Sequence, residues 1–254
     1  MIVAAALATI ILSVTPARAG EIKVVTSGAF TAAYLELATE YERATHNKLV
    51  TEFGPSMGTT VNAIPMRLGR GEQIDVVIMA SPALAELIRQ RRIRADSRVD
   101  LARSSIGMAV KAGAPRPDIG TVDALKRTLL GAKSIGYSDS ASGVYLSTEL
   151  FPKLGIADQI KSKSRKIEAD PVGGYVASGE VEIGFQQISE LRPVKGIDIV
   201  GVLPPGAQRV TVFAAAIPAL SKNPEGAKAL IHWLASPAAY SLIEKSGLEL
   251  MKSK

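Results

Sequence analysis

Three times between residues 21 and 90 the chain repeats one pattern: a short β-branched run, a turn of small residues, then apolar positions at helical spacing. "IKVVTS" (22–27) leads into "TAAYLELATEYERAT" (31–45), where Tyr34, Leu37, Ala38 and Tyr41 fall on one helix face. "LVTEF" (49–53) leads into a helix expected over 59–70, and "DVVIMA" (75–80) into "PALAELIRQ" (82–90), with Pro82 in the first helical turn. Strands alternating with helices through short connections predict an α/β fold with mostly parallel strands.

A second group of elements follows. Strands are expected at 105–113, 134–139, 181–186, 197–203 and 210–217. Helices are expected at 121–132, opened by Thr121 as N-cap, at 142–155, at 223–236 behind Asn223-Pro224, and at 237–247. "AGAPRPDIG" (112–120) is a Pro/Gly-rich connector, and no repeat of fixed period occurs. With 254 residues, of which 47% are hydrophobic, the chain can bury one large core or two ordinary ones.

The segment before the first strand reads differently. Residues 2–14 are apolar and Ala17-Arg18-Ala19 has the small-x-small form of a cleavage site, so 1–19 is expected to be an export signal, although no basic residue follows Met1 directly. The apolar run is short for a membrane span. The chain has no cysteine, which excludes disulfides, thiol catalysis and Cys-ligated metal. Thirty basic against 24 acidic residues give a net charge of +6, but the basic residues are scattered and aromatics are 5%, which argues against nucleic acid as a partner.

The chemistry is concentrated at strand-to-helix junctions. Thr26-Ser27-Gly28 follows the first strand, Ser56-Met57-Gly58-Thr59 the second, and Ser140-Ala141-Ser142 the strand at 134–139. In a parallel sheet the carboxyl ends of strands share one edge, and ligands bind in the crevice outside it. There the N–H groups of helix starts are free and the helix dipole is positive. Hydroxyls add neutral donors, and glycine lets the backbone approach. Such turns suit a small anion, while any one of these serines also suits a helix N-cap.

Other candidates are weaker. His46 is expected to be exposed after a helix end and His232 to pack beside Trp233; neither has a partner at metal-ligand spacing, so no metal site is expected. "GAKS" (131–134) lacks the phosphate-loop spacing, and nothing else points to a cofactor. "KSKSRK" (161–166) reads as a solvated face, and Arg67 as a cleft or ion-pair residue. Val172 and Tyr175 enter a short helix stopped by Gly179; Tyr175 with Gln186 or Gln187 offers neutral donors to a ligand cage or, equally, core and strand-end contacts.

The order of "VVTSGAF", "FGPSMGTT", "GEQIDVVIMASPALAELIRQRRI", "SDSASGVYLSTELFPKLGI" and "ASGEVEIGFQQISEL" resembles the periplasmic solute-binding proteins of ABC importers, in the type II class that contains the molybdate-binding proteins. That resemblance implies a two-lobed fold with two mixed, mostly parallel sheets and two hinge crossings, near 106–112 and 210–216, with lobe one at 20–107 and 214–254 and lobe two at 108–213. It implies a periplasmic monomer that closes on a small anionic ligand and serves an ABC permease. Oxyanion contacts carry over onto Ser27, Ser56 and Ala141, and more loosely onto Val172 and Tyr175. Phe30 and Met57 are bulkier than the molybdate pattern, which leaves room for an organic anion. The same branch is similar to aconitate isomerase. An isomerase needs a base, and no His or Lys stands at the junctions; Tyr145, Tyr175 and Glu149 are candidates that nothing separates, so capture of an anion ranks ahead of catalysis.

Overall fold

The computed structural model describes residues 20–251, so the expected export signal lies outside the described residues. The first unit alternates as the sequence pattern requires: β1 (Glu21–Thr26), α1 (Gly28–Thr45), β2 (Lys48–Phe53), α2 (Ile64–Gly69), β3 (Val76–Ala80), α3 (Ser81–Arg89) and β4 (Val99–Ser104). The chain then builds β5 (Ile106–Lys111), α4 (Val122–Gly131), β6 (Ile135–Ser138) and α5 (Ala141–Tyr145). A π-helical turn (Leu146–Leu150) joins α5 to α6 (Phe151–Lys153), and α7 (Ala157–Ile160), β7 (Ser164–Ile167) and α8 (Val172–Ser178) follow. Last come β8 (Ile183–Gln187), α9 (Ile188–Leu191), β9 (Ile197–Val202), β10 (Thr211–Ala216), α10 (Pro224–Leu234), α11 (Tyr240–Lys245) and β11 (Glu249–Leu250).

These strands form two mixed sheets, ordered β11-β4-β10-β3-β1-β2 and β7-β6-β8-β5-β9. β1 runs parallel to β2 and β3, and β6 parallel to β7 and β8; β10 and β5 are antiparallel to their neighbours. The chain passes between sheets at Ser105 and again between β9 and β10. These passages immediately precede the expected crossing segments 106–112 and 210–216, which themselves form β5 and β10, paired inside their sheets.

Each sheet is covered on both faces. Phe30, Tyr34, Leu37 and Tyr41 of α1 pack with Leu230, Leu234 and Ile243 of the C-terminal helices on one face of the first sheet. Leu84 and Leu87 of α3 cover the other face against Val77 and Met79. Each such fully buried large side chain contributes about 1.5–3 kcal/mol, which fixes α1 rigidly behind the carboxyl end of β1. In the second sheet, Leu125, Leu129, Leu146 and Phe151 pack against Ile135 and Phe185, while Val172 and Val176 of α8 close the opposite face. Among the described residues no helix is long and apolar enough to cross a membrane.

Several local expectations need correction. Residues 54–63 form bends rather than the first turns of a helix, and α2 begins only at Ile64. Gly58 takes a left-handed φ of 94° and Ile64 N–H donates to Pro55 O at 3.1 Å, which folds the loop back on itself. The basic run 161–166 contributes the edge strand β7, where charge guards an open edge, and Lys163 Nζ donates to the carbonyls of Leu130 and Ala132. His232 is exposed; Trp233 alone packs, edge-on to Tyr41 at 5.5 Å. Thr121 and Asn223 do cap their helices, accepting from Ala124 N at 3.1 Å and Gly226 N at 3.0 Å.

Candidate functional site

A cavity of about 480 Å³ opens between the two sheets, within the range of small-molecule sites. It lies outside the carboxyl ends of β1, β2, β6 and β8. The first sheet contributes Ser27, Gly28, Thr31, Phe53, Gly54, Pro55 and Asn62. The second contributes Ser140, Ala141, Ser142, Asp139, Gln186, Gln187, Ser189 and Glu190. Among the described residues the wall holds no Lys, Arg or His.

The first junction supplies the start of α1. Ser27 N–H donates to Ile78 O at 2.8 Å, which locks the turn onto β3. The Ser27 hydroxyl is buried, 2% exposed, and finds no hydrogen-bond partner in the protein. It is not a cap for α1. An 18-residue helix with no acidic residue in its first turn thus presents its positive end to the cavity beside an unused hydroxyl.

The third junction also reaches the wall. Ser142 bonds Ser138 through their hydroxyls at 3.1 Å, and Ser140 Oγ accepts from Ser56 N–H at 3.3 Å, tying the loop from the first sheet to the turn of the second. Asp139 enters the wall too, where Oδ2 accepts from Ala169 N–H at 3.3 Å; burial raises its pKa above the usual carboxylate value.

The second junction behaves otherwise. Ser56 is fully buried, and its hydroxyl accepts from Ala80 N–H at 2.9 Å, a structural clasp on the end of β3. Met57 packs on the core under α3, and Gly58 and Thr59 are exposed. None of the four lines the cavity; Gly54, Pro55 and Asn62 do. Val172 and Tyr175 lie off the wall as well. Val172 is core, and Tyr175 Oη donates to Asp170 Oδ2 at 3.1 Å with Arg165 stacked 4.7 Å from its ring. Arg67 is not in the wall itself; it pairs with Glu52 and Glu72, and its Nε donates to Asn62 O at 3.2 Å.

The residues β8 and α9 bring in carry the most unusual chemistry. Gln186 Oε1 accepts from Val172 N–H at 2.9 Å, which fixes the amide so that its Nε2 donates to Glu190 Oε1 at 2.9 Å. Gln187 Nε2 donates to Thr211 Oγ1 at 3.1 Å, while its Oε1 has no partner. Glu190 stands at the third position of α9 and its carboxyl reaches across the cleft to Gly28 of α1. Burial pushes its pKa up to about 7; donation from the Gln186 side chain and the Gln187 backbone pulls it down, and the charge of Asp139 pushes it further up. Sequence reading missed Glu190. A glutamate three residues into "QISEL", immediately after a strand end, has the form of half a capping box, and that was the available signal.

The family model described as bacterial extracellular solute-binding protein matches residues 22–249, nearly the whole described chain. The chain belongs to that family. An aconitate isomerase of a Pseudomonas sp. is 48% identical over 248 residues, spanning 96% of this chain and 95% of that one. A molybdate-binding protein of Azotobacter vinelandii is 26% identical over 244 residues, 92% of each chain. The solved periplasmic molybdate-binding protein of the same organism superposes with a TM-score of 0.72 at 22% identity, over 91% of this chain and all of the other, which establishes the shared two-sheet fold.

Proposed function

We propose that the chain is an exported isomerase that interconverts trans- and cis-aconitate in the cleft between its two sheets. The observation that carries this reading is the set of polar groups on an otherwise apolar wall: hydroxyls, amides and ionisable carboxyls, with no fixed cation. A wall carboxylate repels an anion that is merely stored. It is needed where a proton must be taken from carbon and returned. The 48% identity along 96% of the chain with a protein named aconitate isomerase supports the same choice.

The reaction is a 1,3-proton shift. A base removes a proton from the methylene carbon of trans-aconitate, which is allylic and next to a carboxylate. The electron pair spreads over the three-carbon unit and its carboxylate oxygens as a dienolate. The proton returns at the other terminal carbon, and the double bond moves with it. No water, oxidant or second substrate is consumed. In this reading the Ser27 hydroxyl and the first N–H groups of α1 donate to the carboxylates, and their bonds strengthen as charge spreads onto those oxygens. Incubating the purified protein with trans-aconitate and following cis-aconitate by chromatography tests the proposal; absence of product rejects it.

A second reading is favoured by the family and by the molybdate-binding relatives: a periplasmic, monomeric receptor that closes on a small anion and hands it to an ABC permease. Ligand retention without conversion would select it.

A further inference from the structure

We propose that Glu190 is the catalytic residue that carries the proton, taking it from one end of the allylic unit and returning it to the other on the same face; this rests on the isomerase reading. The candidates read from sequence are placed elsewhere. Tyr145 is buried outside the wall with its hydroxyl donating to Ala207 O at 3.0 Å. Glu149 is exposed and held by both arms of Arg209. Tyr175 is turned to Asp170. Three carboxyls remain in the wall, Asp139, Asp170 and Glu190. Asp170 sits exposed at the rim. Asp139 is tied to the Ala169 backbone.

Glu190 alone of the three spans from the second sheet to the start of α1, where Ser27 and the helix N–H groups form the anion cradle. Its position is built rather than incidental. Val172 N–H orients Gln186, Gln186 orients the Glu190 carboxyl, and Gly28 offers no side chain where that carboxyl lies. The groups facing it are Gln186 and the Gln187 N–H from β8, Gly28 from α1, and Asp139 from the β6–α5 turn. None is a cation, so the carboxylate keeps its basicity; its pKa near 7 makes it a stronger base than an ordinary carboxylate, about half ionised at neutral pH and mostly ionised above it. A bound anion beside it raises that basicity further.

The test replaces Glu190 with its isostere. Glu190→Gln is expected to lower kcat for trans-aconitate by about 10²–10⁴-fold, with the dissociation constant for trans-aconitate changed less than five-fold, and to stop incorporation of solvent deuterium into the ligand. If the wild-type protein isomerises aconitate and Glu190→Gln stays within three-fold of it, the assignment of Glu190 is overturned and the isomerase reading stands. If the wild type is inactive, both fall. Should Glu190→Gln fail to fold, Glu190→Asp provides the measurement: shortened reach is expected to cost at least ten-fold in kcat and to shift the acid limb of the kcat/KM profile, and an unchanged rate and profile would reject the role.

Discussion

The carboxyl of Glu190 rests directly on the Cα of Gly28, so that a β-carbon at residue 28 would occupy the space of Glu190 Oε1. Gly28 opens α1 with an ordinary helical backbone, so it is required for close approach and not for its conformational freedom. Gly28→Ala is expected to retain the fold and to reduce turnover of trans-aconitate at least ten-fold by displacing the carboxyl. Unfolding curves and initial rates measured together check this. A fully active Gly28→Ala protein would show that the contact is irrelevant.

Ser27 makes a separable prediction. Its hydroxyl is buried and unpaired, so removing it takes no hydrogen bond from the protein. Ser27→Ala is expected to leave the melting temperature within about 2 °C and to weaken trans-aconitate binding by about 5–20-fold, the loss of about 1–2 kcal/mol. Calorimetric titration reads the affinity. Equal affinities for the two proteins would remove Ser27 from the site.

Glu190 also has a stability signature with a defined sign. Its carboxyl titrates near 4.5 in the unfolded chain and near 7 in the folded one, so the folded state holds the extra proton between those values. Stability is therefore full below about pH 4.5 and is lost as pH rises through about 7. Glu190→Gln, which cannot ionise, is expected to be more stable than wild type at pH 8, by about 1–3 kcal/mol, and to show little difference at pH 4.5. Denaturant unfolding at the two pH values measures this. A variant less stable than wild type at pH 8 would contradict the cost of ionising this carboxyl in a site that holds no cation beside it.

Asp75 shows the opposite behaviour. Burial alone would raise its pKa, but donation from Lys23 N–H at 3.0 Å, Ser221 Oγ at 2.7 Å, Asn223 N–H at 3.0 Å and Lys222 N–H at 3.1 Å holds it below the usual value. One carboxylate thereby pins the segment entering α10 to β1. Its contribution is present above about pH 3.8 and is lost as pH falls through the lower folded value. Asp75→Asn is expected to cost about 2–4 kcal/mol at pH 7 and to flatten the acid limb of the stability curve. A change under 0.5 kcal/mol would refute that role.

How much of this was legible in the sequence depended on the range of the signal. Periodicity gave α1, β3, α3 and both mixed sheets' central strands, because burial on a fixed face is written locally. It missed β4, β7 and β11, edge-side or short strands rich in charge whose pairing depends on distant partners. At the site, Ser27, Gly28, Ser140, Ala141 and Ser142 fall in the cavity wall, since a strand end in a parallel array dictates where its turn lies. Ser56 lies off that wall, its hydroxyl accepting from Ala80 N–H, a contact across 24 residues that no local pattern encodes. Glu190 looked like a helix-start residue; only the approach of α1 turns it into a cleft carboxyl.

The most direct measurement starts reactions from each side. With catalytic amounts of protein, solutions begun from trans-aconitate alone and from cis-aconitate alone should converge on one ratio of the two isomers, independent of protein concentration. If each isomer is instead retained unchanged, with any loss from solution proportional to the protein added, the cleft is a receptor and the account of it as an enzyme is wrong.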